Sequence, residues 1–287
     1  MTTEHGRVIL GYDGSVPAAA AMEASARLLP RGRAYVTYLW TPPYASEPLR
    51  RRLWHGMAGV DDYVAAIERE GEAEAGRLAA MGVTLAAAHG WDAEPLVERS
   101  YGGEGAQLAQ LAERTGAGLI VTGSRGLGGV RAIFGSVSDM VAHYAPCPVL
   151  AVPYPLLDVE RAALDKGPVL IGWDGSAGAA AAHRVAERLF GTRTVVPAFV
   201  RDGDEPPGAA PEGLITLSRS GLPAEHGRAI ALSLAAQARA EHAALIVVGS
   251  VGRSALSEIM LGSVAMATLH HAHRPVLLVP HRYDPAR

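Results

Sequence analysis

The sequence predicts an α/β protein built of two tandem doubly wound parallel-sheet domains. Three observations carry this. Short apolar runs alternate with helical stretches, the pattern of a parallel sheet covered on both faces and joined by right-handed crossovers. The length of 287 residues suits two domains of about 140 residues, each able to bury its own core. Finally, the two halves repeat one another: residues 119–153, LIVTGSRGLGGVRAIFGSVSDMVAHYAPCPVLAVP, recur as residues 245–280, LIVVGSVGRSALSEIMLGSVAMATLHHAHRPVLLVP.

The openings of the halves match as well. Val8-Ile9-Leu10-Gly11-Tyr12-Asp13-Gly14-Ser15 returns as Val169-Leu170-Ile171-Gly172-Trp173-Asp174-Gly175-Ser176. Each reads as a buried strand ending in an Asp-Gly-Ser turn. Alanine-rich helices follow at 16–29 and 177–190, with Ser15 and Ser176 near their N-caps. Second strands are expected at 33–40 and 194–200. The first half then carries extra chain over 41–103, where Pro42-Pro43 opens a loop and 57–80 has the pattern of a long charged amphipathic helix. The corresponding 201–212 has three prolines and no helical pattern, so its crossover is expected to be an irregular loop. Asp13 and Gly123 lie 110 residues apart, Asp174 and Gly249 only 75, so the second half is the trimmed one. The domains are read as 1–153 and 168–287, with a linker over 154–167 bounded by Pro153, Pro155 and Gly167.

Composition narrows the function. A net charge of −3, with 26 basic and 29 acidic residues interspersed, does not suggest a nucleic-acid-binding face. Lys166 is the only lysine, so neither half can hold a phosphate with a lysine side chain. The single cysteine, Cys147, excludes an intramolecular disulfide and a cysteine metal cluster, and it reads as a packing residue before an apolar strand. The first residues enter a strand without a basic-then-apolar leader, and no apolar run reaches membrane length; a cytoplasmic location is the expectation.

In a doubly wound sheet, ligands sit at the carboxyl ends of the strands where strand order reverses. Asp13 with Gly123, and Asp174 with Gly249, fall there. Each repeat continues from a Gly-Ser-x-Gly turn to a Gly-Ser-Val helix start, which sets backbone amides at a helix N-terminus, an environment that favours an anion such as a phosphate. A turn followed by an N-cap is the plainer reading of one such segment, and Ser136-Val137-Ser138-Asp139 itself resembles a capping box.

With these motifs in place, both halves resemble the universal stress protein family, and the chain resembles a tandem member of it. The nucleotide-binding branch of that family carries Gly-x-x-Gly, nine residues, then Gly-Ser or Gly-Thr. The second half fits with Gly249, Gly252 and Gly262-Ser263. The first half has Gly123, Gly126 and Gly135-Ser136, with one residue fewer in between. The resemblance implies an adenine nucleotide α-hydrolase-like fold. It also implies an ATP in each site, with or without Mg²⁺: Asp13 or Asp174 at the base end, and the glycines, Ser136 with Val137, or Ser263 with Val264, along the phosphates. At the end of the second strand the family places a small apolar residue beside the base. Val200 fits that place, and Trp40 is the first-half candidate, to stack on adenine or to fill the pocket. The final strands, 148–152 and 275–279, are apolar edges that in the family pair across a dimer, so an intramolecular pseudo-dimer is expected, with a homodimer as a further level.

No P-loop, no dinucleotide Gly-x-Gly-x-x-Gly, no catalytic base and no metal-ligand spacing are evident. The expected role is a nucleotide-binding stress-response regulator; a slow ATPase or phosphotransfer enzyme and a ligand-free interaction module are the alternatives. His270, His271 and His273, and Arg50-Arg51-Arg52, read as surface or helix-end groups.

Overall fold

In the computed structural model of the chain, the described residues are 6–30, 32–44, 46–54, 59–125, 136–201, 210–219, 226–250 and 261–283. The first half runs β1 (Val8–Gly11), α1 (Val16–Leu28), β2 (Arg33–Trp40), α2 (Glu47–Trp54), α3 (Val60–Ala88), β3 (Asp92–Arg99), α4 (Glu104–Thr115), β4 (Leu119–Arg125), α5 (Ser136–Tyr144) and β5 (Val149–Tyr154). After α6 (Asp158–Lys166), the second half runs β6 (Val169–Gly172), α7 (Ala177–Phe190), β7 (Val195–Arg201), β8 (Ile215–Ser218), α8 (His226–Ala240), β9 (Leu245–Gly249), α9 (Ser263–His271) and β10 (Val276–Val279).

All ten strands form one sheet in the order β3-β2-β1-β4-β5-β10-β9-β6-β7-β8. Each half is parallel and doubly wound, and strand order reverses between β1 and β4 and again between β6 and β9. The halves join through the antiparallel pair β5–β10, with Leu150 opposite Leu277. The two apolar edges thus cover each other within one chain, as the pseudo-dimer reading expects.

Helices α1, α3 and α7 cover one face of the sheet, and α4, α5, α8 and α9 the other; both buried clusters continue across the joint, through Leu150 and Leu277 on one side and Val149 and Leu278 on the other. The segment read as a linker contains α6, whose N-terminus is held by the Leu157 N–H donating to the Glu160 carboxylate at 2.8 Å. This helix docks on α1: the Arg27 guanidinium donates to both oxygens of Asp165 at 2.8 and 2.7 Å, and Arg161 donates to Glu23 at 3.0 Å. From the second half, Arg193 donates to the carbonyls of Leu164 and Arg27 at 2.7 and 3.1 Å.

The long helix of the insertion is α3, and it corrects the expectation of 57–80: it runs from Val60 to Ala88, past Met81-Gly82. Gly82 does not break it. A β-carbon there would lie 2.7 Å from the Tyr12 ring and from Val36, so the glycine lets the helix lie close on the sheet. In the second half, 202–209 lies outside the described residues, and β7 passes to its parallel neighbour β8 without a helix among the described residues.

Candidate functional site

The Asp-Gly-Ser turns are built alike. The Ser15 N–H donates to Asp13 Oδ1 at 2.9 Å, and the Ser15 hydroxyl accepts from the Ala18 N–H at the start of α1. In the second half, the Ser176 N–H donates to Asp174 Oδ1 at 2.9 Å and the Ser176 hydroxyl accepts from Ala179. Gly14 and Gly175 stand at φ of 81° and 78°, a left-handed conformation that glycine adopts without strain. Each aspartate therefore closes its own turn with one oxygen while holding its carboxylate at the end of the first strand of its half. Burial, with the Asp13 charge as the smaller cause, raises the Tyr12 and Tyr38 hydroxyls above their ordinary range.

The first glycine of each Gly-x-x-Gly faces a helix rather than open space. A β-carbon on Gly123 would stand 2.5 Å from the Pro17 carbonyl oxygen, and one on Gly249 would stand 2.6 Å from the carbonyl carbon of Gly178. These glycines admit the N-termini of α1 and α7 against the ends of β4 and β9. An added β-carbon at either glycine would therefore meet this helix backbone first. Gly126, Gly135 and Gly252, and the side chain of Ser136, lie outside the described residues.

The helix starts that follow are each tied back to the strand end. In the first half, the Ser138 hydroxyl donates to the Gly123 carbonyl at 3.2 Å. In the second, the Gly262 N–H donates to the Ser250 carbonyl at 2.7 Å. The first-turn N–H groups of Ser263 and Val264 have no intrahelical acceptor, as at any helix start, and Ser263 is exposed. A second pair of glycines, which the sequence reading missed, seats the neighbouring helices on these starts. A β-carbon on Gly105 of α4 would meet the Val137 carbonyl oxygen at 2.5 Å, and one on Gly227 of α8 would meet the Ser263 hydroxyl at 2.6 Å. Their signal in the sequence is a glycine in the first turn of each helix before β4 and β9.

Register decides which residue ends the second strand inside the cleft. Gly11 pairs with Thr37 and Gly172 with Ala198. Two residues on along the same face lie Leu39 in the first half and Val200 in the second, both packed with the α4 and α8 side of the core. Leu39 is thus the counterpart of Val200, and Trp40 is not: its ring lies on the opposite face, 2.8 Å from where a β-carbon on Gly71 of α3 would stand. Trp40 fills space under α3.

Cys147 is buried, and burial pushes its thiol up to about 12. His270 and His271 end α9, and no group of three or more His, Cys, Asp or Glu is placed to hold a metal among the described residues. Among the described residues no helix is long and apolar enough to cross a membrane.

Residues 4–153 and 223–280 match the model of the universal stress protein family, more than half of the chain. The chain belongs to the universal stress protein family. The unmatched stretch between the two regions contains β6 and α7, with the second Asp-Gly-Ser turn, so the structure extends the family pattern across it. A universal stress protein of Mycolicibacterium smegmatis is 31% identical over 182 residues, covering 56% of this chain and 61% of that protein. The Thermus aquaticus universal stress protein in the QAH/OAS sulfhydrylase 3'region is 34% identical over 155 residues, 50% of this chain and 96% of its own. The fold matches the crystal structure of a universal stress protein from Archaeoglobus fulgidus, with a TM-score of 0.66 at 18% identity, covering 97% of this chain and 99% of that one. A putative universal stress protein from Pseudomonas aeruginosa matches with a TM-score of 0.56 at 13% identity, covering 97% and 94%.

Proposed function

We propose that each half binds one ATP at the carboxyl ends of its strands, and that the chain is a nucleotide-binding stress-response regulator rather than an enzyme. The observation that carries the reading is a convergence. At each reversal of strand order, an aspartate turn (Asp13 or Asp174) and a Gly-Ser-Val helix start (Val137 on α5, Ser263 and Val264 on α9) meet at the same end of the sheet. In this reading the base lies by the aspartate and by Leu39 or Val200. The phosphates lie by the helix N-terminus, where unbonded amides and the helix dipole favour negative charge. One helix end supplies only about 0.3–1 kcal/mol when exposed, so several amides must act together. The residues between Gly123 and Ser136 and between Gly249 and Gly262, with Gly126, Gly135 and Gly252, complete the phosphate loop. Mg²⁺ can accompany the triphosphate by neutralising its charge.

Protein purified without added nucleotide, then denatured, is expected to release ATP, and timed phosphate release from bound ATP is expected to stay at the buffer rate. Rapid release would favour the ATPase alternative. Neither retained nucleotide nor binding of added ATP would leave the interaction-module reading.

A further inference from the structure

The floors of the two clefts differ in chemistry. In the first half the last row of the sheet reads Thr37, Gly11, Thr122 across β2, β1 and β4; a β-carbon on Gly11 would lie 3.6 Å from Thr122 Cγ2 and 3.7 Å from Leu108 Cδ1. Thr37 and Thr122 are 1% and 4% exposed, and among the described residues neither hydroxyl has a hydrogen-bond partner. Buried hydroxyls are nearly always bonded, and leaving one unbonded is costly. The same row of the second half reads Ala198, Gly172, Val248, and the space over Gly172 is closed by Leu234 and Val248 side chains at 3.2 Å. Gly11, between the two buried threonines, is itself half-buried.

We propose that the first cleft reads a hydrogen-bonding edge of its ligand, the base of a nucleotide, with the Thr37 and Thr122 hydroxyls, whereas the second holds its ligand over an apolar floor. The inference rests on the nucleotide-binding function proposed above. A threonine hydroxyl can donate or accept, so the pair can complement a purine edge that offers either kind of group. Gly11 stands between them without a side chain of its own, with Leu108 of α4 over it. The two clefts are therefore unequal in what they recognise, and the hydroxyls are kept at a cost to the ligand-free fold.

The test is the double variant Thr37→Val with Thr122→Val, which preserves shape and removes both hydroxyls, studied by calorimetric titration with ATP and by thermal unfolding without nucleotide. The expected result is two-sided. One of the two ATP-binding events weakens by about 10-fold, the worth of roughly one hydrogen bond, and the other is unchanged, while the melting temperature of the free protein rises by about 2–4 °C. Unchanged titration at both sites, or a lower melting temperature, overturns the inference and leaves the nucleotide reading standing. A wild-type protein that takes up no ATP overturns both.

Discussion

A β-carbon on Gly249 would stand 2.6 Å from the carbonyl carbon of Gly178, so the end of β9 and the first turn of α7 touch backbone to backbone. The same contact joins Gly123 to Pro17 in the first half. The first glycine of the phosphate-loop motif therefore sets the angle at which the helix after the aspartate turn leaves the sheet. It shapes the cleft from behind.

Gly249→Ala is accordingly expected to destabilise the ligand-free protein. Backbone on both sides of the contact leaves little that can yield, and overpacking of this kind costs about 1–3 kcal/mol or more. Denaturant unfolding without nucleotide reads this directly. An apo stability equal to wild type would return Gly249 to a purely ligand-facing role.

Leu39 and Trp40 separate in the same way. Leu39→Ala is expected to weaken ATP binding in the first cleft by about 5–10-fold, the worth of a lost apolar contact, with the second cleft unaffected. Trp40→Leu leaves a gap beneath α3 at Gly71 and is expected to cost about 1–3 kcal/mol of stability without changing ATP affinity. The reverse pattern in paired titration and unfolding experiments would mean that Trp40, not Leu39, meets the base.

The joint between α1 and α6 carries a pH dependence. The Asp165 carboxyl is held below the usual range by its hydrogen bonds to Arg27, with the charges of Arg27, Arg193 and Lys166 adding to the effect. A carboxyl lowered on folding contributes stability above its unfolded value of about 3.9, and that contribution is lost as pH falls through the lower folded value. Asp165 is 55% exposed, so the pair contributes only about 0.2–1 kcal/mol, and salt screens it. Asp165→Asn is expected to lower stability by that amount at pH 7 in low salt and by nothing at about pH 2. An equal deficit at both pH values would show that the loss is one of packing.

Cys147 supplies a check on burial. With its thiol pushed up to about 12 and its side chain buried, it is expected to resist iodoacetamide at pH 8 in the native protein and to react fully once unfolded. Fast native alkylation, read by mass spectrometry, would contradict the packing of α5 against β5.

Much of the fold was legible because its signals are local. Buried parallel strands read as short apolar runs, the Ser15 and Ser176 caps announce α1 and α7, and the repeat doubles every signal. What was not legible depends on contacts between distant segments. Which of Leu39 and Trp40 faces the cleft depends on the pairing of Thr37 with Gly11, and a slip of one residue reverses every face. Gly82 looks like the end of a helix until Tyr12 is seen beneath it, and the contact of Gly123 with Pro17 shows only once α1 is placed against β4. Helix α6 was hidden by Pro155 and Gly167, which mark a linker equally well.

The central claim is that ATP occupies both clefts, and calorimetric titration of ATP into wild type, Gly126→Ala and Gly252→Ala tests it most directly. The account predicts two binding events in wild type and the loss of a different one in each variant. A wild type without saturable binding, or variants that both keep every event, would contradict it.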